Sequence, residues 1–265
     1  MLTLHYSILA SGSTGNAILI KTEKTQLLID AGLTGKKLEQ LLASIGESPK
    51  NLQGILVTHE HSDHIKGLGV LARRYGLPVY ANAKTWQQLD KQCGTIDMEQ
   101  KFHFERDEVL SVGDIDIESY GISHDAAEPM SFCFHHQGKK LGLATDLGYV
   151  SEKIKKTLAD SDVLIFEANH DTEMLRMCRY PWNVKRRILS DVGHLSNDDS
   201  AEALIDILNG KTKKVYLAHL SKDNNMRDLA RMTVQQALER EGMVIGEDLT
   251  LHDTYPDQPT KLVAV

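Results

Sequence analysis

The chain has 265 residues, 41% hydrophobic and 25% charged, enough for one large α/β domain with a real core. Its 37 acidic residues against 30 basic ones give a formal net charge of −7. That balance excludes a basic nucleic-acid clamp, so any nucleic-acid contact has to come from local patches or bound cations. In chain order, apolar β-rich runs predict strands over 17–20 and 26–29, and apolar residues at spacings of three and four predict a helix over 35–45. A strand follows over 54–57, a helix over 67–75 and a strand over 79–81. Strands return over 115–119, 131–135 and 141–144. Strand and helix then alternate: helix 151–158, strand 163–166, helix 198–208, strand 215–218 and helix 226–240. Two similar halves, each sheet-rich with helices outside, give a four-layer αββα sandwich. No Gly/Ser/Pro linker interrupts the chain, so residues 1–265 read as a single domain. The three cysteines, Cys93, Cys133 and Cys178, are scattered and read as reduced thiols in the cytoplasm. Residues 1–7 lack the basic and apolar pattern of a signal peptide, and no apolar run reaches bilayer length, so no membrane partner is expected.

The chemistry concentrates between the 54–57 strand and the next helix. There, Thr58-His59-Glu60-His61-Ser62-Asp63-His64 packs three imidazoles and a carboxylate into one turn. His59 and His61 are two apart and can point the same way from extended backbone; Asp63 and His64 follow the turn. Nitrogen and carboxylate donors suit Zn, Mn or Fe. A plainer possibility is a polar loop in which Ser62 or Asp63 caps the helix and the histidines are exposed. Two hydrolytic metals need more ligands than one loop holds. His124, Asp146 and His219 each follow a predicted strand, and a carboxylate at Asp146 suits a bridge between two cations.

These residues, His59-x-His61-x-Asp63-His64 followed by His124, Asp146 and His219, resemble the metallo-β-lactamase fold over essentially the whole chain. Asp30, after Leu27-Leu28-Ile29, resembles that superfamily's early aspartate. The resemblance implies that His59, His61 and His124 hold one metal and Asp63, His64 and His219 the other, with Asp146 bridging. It also gives Asp63 a catalytic part in handling the water proton. Phe166-Glu167-Ala168-Asn169-His170 and Gly193-His194-Leu195-Ser196-Asn197 resemble segments of the tRNase Z group. That likeness implies a phosphate site at His194, Ser196 and His170, with His194 catalytic and Glu167 supporting. The 193–197 loop also suits a helix N-cap.

Further segments narrow the family. Leu9-Ala10-Ser11-Gly12-Ser13-Thr14-Gly15-Asn16, Tyr180-Pro181-Trp182 and Leu217-Ala218-His219-Leu220-Ser221-Lys222-Asp223-Asn224-Asn225 resemble the YycJ/WalJ (VicX) family. The first of these also reads as a hairpin turn, or as backbone N–H groups lining the site. The family resemblance implies a dinuclear 5′→3′ exonuclease that works on double-stranded DNA from its ends. It also implies links to mismatch repair and to a cell-wall two-component system, and it leaves a homo-oligomer open. The segment between Asp146 and His194 is too short for a β-CASP domain, and no Gly/Pro-rich tRNA arm is present, which makes tRNA processing the weaker nuclease reading. Two non-nuclease functions stay open as well: hydrolysis of a small ester or thioester, and a non-catalytic accessory role in signalling. Lys185, Arg186 and Arg187 are the leading DNA-contact candidates, ahead of Lys153, Lys155, Lys156, Arg73 and Arg74.

Overall fold

The computed structural model describes residues 3–265, so the first two residues of the opening stretch lie outside the described residues. The chain divides into two compact units. The first runs up to Gly121 and adds Ala126–Gly138 and Tyr255–Val265; the second takes Ile122–Asp125 and Lys139–Thr254.

The first unit begins with an antiparallel meander of β1 (His5–Ala10), β2 (Ala17–Lys21) and β3 (Gln26–Ile29). Three parallel strands follow. Helix α1 (Gly35–Ser44) leads to β4 (Gly54–Leu56). Helices α2 (Ser62–Ile65) and α3 (Leu68–Tyr75) lead to β5 (Val79–Ala81). Helix α4 (Ala83–Gln92) leads to β6 (Lys101–His103). A parallel neighbour requires a crossover, and the helices supply the three needed here, burying apolar residues as they do so. Leu38, Leu42, Leu68, Leu71 and Leu89 thereby join Leu28, Ile55 and Val79 in one core. The closing strand Val263–Ala264 pairs with β1. A second meander joins β7 (Val109–Val112), β8 (Ile115–Gly121) and β9 (Met130–His136). In β8 the buried Ile115 and Ile117 flank the exposed Asp116, the period of a half-covered strand.

The second unit alternates strand and helix. Its elements are β10 (Lys139–Ala144), α5 (Glu152–Leu158), β11 (Val163–Glu167), α6 (Thr172–Met177), α7 (Trp182–Ile188), α8 (Asn197–Ile207), β12 (Lys214–Ala218), α9 (Arg227–Arg240) and β13 (Thr250–Asp253). All four strands are parallel in the order β13-β12-β11-β10. Their carboxyl ends therefore line one edge, where binding loops of α/β sheets gather. β11 is buried along its whole length, which is why it reads as a continuous apolar run rather than an alternation.

The predicted strands and helices are present, with ends shifted by one or two residues. The structure adds β1, α2, α4, β6, β7, α6, α7, β13 and the closing strand Val263–Ala264. Helix α4 escapes the apolar pattern because only Thr85, Trp86 and Leu89 of it are buried. Among the described residues, no helix is long and apolar enough to cross a membrane.

Candidate metal centre

In the first unit the site starts at Asp30. It leaves β3 in the left-handed region, φ 59°, so its carboxylate turns aside at the strand's end. That buried carboxylate accepts hydrogen bonds from the Thr58 N–H (2.9 Å), the Thr58 hydroxyl (2.9 Å) and His64 Nδ1 (2.7 Å). His59 Nδ1 lies 3.0 Å from the Thr58 hydroxyl. The imidazole rings of His61 and His64 lie 4.6 and 4.1 Å from that of His59. An Asp63 oxygen is 3.6 Å from His64 Nε2. The sequence left open a capped loop with exposed histidines. The structure corrects it: His59 and His64 are buried, and α2 has no side-chain cap.

Close backbone packing holds this turn. The Asn16 N–H donates to the Asp63 carbonyl at 2.8 Å, and the Gly32 N–H to the Asn16 carbonyl at 2.9 Å. A Cβ on Gly32 would stand 1.6 Å from the Asp63 carbonyl oxygen, so only glycine lets the two backbone segments approach this closely. The glycine-rich segment is the β1–β2 hairpin turn. Its Asn16 side chain donates to His64 Nε2 at 3.1 Å, a contact the sequence did not single out. Thr58 was missed in the same way, since a hydroxyl beside a histidine run carries no signal until Asp30 is placed against it.

In the second unit the central group is Glu167, fully buried at the end of β11. One oxygen accepts from His194 Nδ1 (2.9 Å) and His219 Nδ1 (3.0 Å). The other accepts from the Leu147 and Leu195 N–H groups at 3.1 and 3.2 Å. Burial opposes ionisation here, but the two imidazoles and these hydrogen bonds win, and the carboxyl is held down at about 2. Asp146 and His219 both leave their strands in the left-handed region, φ 61° and 54°. An Asp146 oxygen lies 3.4 Å from His219 Nε2, 4.0 Å from His124 Nε2 and 3.9 Å from His194 Nδ1. His124 Nδ1 donates to the Gly193 carbonyl at 3.1 Å. Asn169, a residue the sequence passed over, donates to the His219 carbonyl at 2.8 Å. The structure thus gathers His124, Asp146, Glu167, His194 and His219 from one strand end and four loops.

The phosphate trio divides. His194 keeps 17% of its side chain exposed. The Ser196 hydroxyl is buried and donates to Asp199 at 2.6 Å within a capping box that starts α8. His170 is 1% exposed, and burial pushes its imidazole down to about 4, keeping it neutral. Lys185, a predicted DNA contact, is also corrected. It is buried, and its ammonium donates to the carbonyls of Arg176 (2.6 Å) and Cys178 (2.8 Å), closing the end of α6.

These donors fit a divalent metal. His59, His124 and His219 each engage Nδ1 with an oxygen, which orients the ring and presents Nε2 as a ligand atom; His64 is oriented in the same way by Asp30, and its Nε2 also accepts from Asn16. In the second unit, one donor atom each of Asp146, Glu167, His194 and His219 lies within 4.8 Å of the others. Of these, the Asp146 carboxylate and His219 Nε2, 3.4 Å apart, present a carboxylate oxygen and an imidazole lone pair together, as divalent-metal sites do.

Comparison with known proteins agrees. The β-lactamase superfamily domain matches residues 25–220. The chain is 56% identical over 259 residues to the exodeoxyribonuclease YycJ of Bacillus anthracis, covering 98% of each. It is 51% identical over 262 residues to the exodeoxyribonuclease WalJ of Streptococcus pneumoniae, covering 98% of this chain and 97% of that one. The metallo-β-lactamase fold protein YhfI of Bacillus subtilis superposes with a TM-score of 0.75 at 16% identity, over 97% of this chain and 99% of that one, a likeness of fold.

Proposed function

We infer that this chain is a metal-dependent exodeoxyribonuclease, because it belongs to the YycJ/WalJ family of the β-lactamase superfamily, whose four-layer αββα fold it shares. The observation that carries the chemistry is the Glu167–His194 pair: a buried, ionised carboxylate holding a part-exposed imidazole beside Asp146.

His59, His61 and His124 would hold one divalent metal and Asp63, His64 and His219 a second, with Asp146 between them. Such a pair lowers the pKa of water toward ~7 and offsets the charge of a phosphodiester. Asp63 orients the attacking water and takes up its proton. Glu167 holds His194 through Nδ1 and so aims Nε2 at the substrate, where His194 would pass a proton to the leaving oxygen. His170 and Ser196 serve by fixing the loop that carries His194; one is buried and the other is engaged as a cap. The substrate on this reading is double-stranded DNA, shortened 5′→3′ from its ends by residues 1–265 acting as one catalytic domain in the cytosol. The links to mismatch repair and to a cell-wall signalling locus follow from the same family likeness. With a net charge of −7, the metal-free protein should bind DNA poorly.

The test is a panel on Mn- or Zn-loaded protein: end-labelled duplex DNA, single-stranded DNA, pre-tRNA and a thioester. Duplex DNA is expected to shorten from the 5′ end. Asp63→Ala should abolish this, and His194→Ala should cut it about 100-fold or more with metal content unchanged. Thioester turnover with duplex DNA untouched would sink the reading.

A further inference from the structure

Between β11 and α8 the chain makes an excursion over 172–192, built of α6 and α7. Its stem is closed at the site. His170 and Ser196 form a parallel bridge, and the Asn197 N–H donates to the His170 carbonyl at 2.9 Å. The returning end is tied to the same place. The His194 N–H donates to the Ile188 carbonyl at 3.0 Å, the Ser123 hydroxyl donates to the Asp191 carbonyl at 2.6 Å, and Arg187 pairs with Asp125, next to His124. A Cβ on Gly193 would stand 2.1 Å from the Ile188 carbonyl oxygen, so the excursion is pressed directly against the His194 loop.

What it displays is unusual for a surface. Trp182 is 66% exposed and Met177 85%. Trp182 is nevertheless held in place: the Lys185 ammonium, itself anchored to two carbonyls, sits 5.5 Å from the ring centroid. A cation on one face of a ring that stays largely exposed makes a fixed aromatic platform. The segment carries Arg176, Arg179, Lys185, Arg186 and Arg187 against Glu173 and Asp191, a local excess of positive charge in an acidic chain. Arg179 and Arg186 are exposed and form no ion pair among the described residues. Aromatic planes flanked by arginines are how proteins grip unpaired bases and the adjoining backbone.

We propose that the α6–α7 excursion is the enzyme's grip on the DNA end, with the terminal base stacking on Trp182 and Arg179 and Arg186 meeting the flanking phosphates. The proposal rests on the nuclease reading. It assigns the acidic chain a local source of DNA affinity beside its catalytic histidine, in place of the Lys185 contact that the structure removes.

The test uses full-length, Mn-loaded protein and a duplex with 2-aminopurine at the 5′ terminus of one strand. Wild type should quench the 2-aminopurine on binding. Trp182→Ala should abolish the quench and raise KM for duplex ends about tenfold or more, with kcat within about threefold, whereas Trp182→Phe should retain most of both. Arg179→Ala/Arg186→Ala should raise KM and flatten its salt dependence without removing the quench. Metal content and circular dichroism of each variant report whether the fold is intact. Wild type that degrades duplex DNA while a folded Trp182→Ala protein keeps wild-type KM and quench overturns the grip alone. Wild type that leaves duplex DNA intact overturns the grip and the nuclease reading together.

Discussion

In the first unit one buried carboxylate, Asp30, steadies one histidine, His64, together with the Thr58 N–H and hydroxyl. In the second unit one buried carboxylate, Glu167, steadies two histidines, His194 and His219, together with two backbone N–H groups. Both regions use a carboxylate behind Nδ1 to aim Nε2. They differ in how much hangs on it. Asp30 supports a turn whose donors are neighbours in sequence and are also tied by the Asn16, Gly32 and Asp63 backbone contacts. Glu167 is the common support of loops that start from separate strands. A ligand set assembled from distant loops should therefore depend more on its buried anion than one prebuilt in a single turn.

Three measurements break or sharpen this contrast. Replacing Glu167 by Gln should have the largest effect, about 100-fold in kcat together with weaker metal retention, because two imidazoles lose their charged partner at once. The next concerns acid. His170 is held down at about 4 against an ordinary value near 6.5, so the unfolded chain takes up its proton first as pH falls. Stability should drop by roughly 2 kcal/mol between pH 7 and pH 5, from this group alone, and return as pH rises through 6.5. Chemical denaturation across that range should show a flatter profile in His170→Asn; an unchanged profile would place the acid sensitivity elsewhere. The smallest effect should come from Asp30→Asn, about tenfold in kcat, because the backbone ties around Asn16 and Gly32 remain. Equal losses for Glu167→Gln and Asp30→Asn would erase the distinction between the two regions.

The contrast also explains what could be read in advance. The turn from His59 to His64 announces a metal site by itself, because four donors within six residues need no tertiary structure to be neighbours. His124, Asp146 and His219 were legible only as residues following strands, and the family likeness supplied their roles. The strand–helix alternation was legible because parallel strands must be joined by crossovers with an apolar stripe. Sequence alone thus determined the donor types, the strand ends they follow and the family. Only the tertiary structure decided which donors are buried, that Asn16, Thr58 and Asn169 join them, and that Lys185 and Ser196 are engaged in capping. Those outcomes depend on contacts such as Thr58 with Asp30 and Lys185 with the Arg176 carbonyl, and a side chain's hydrogen-bonding partner is fixed by packing and burial, not by its neighbours in the chain.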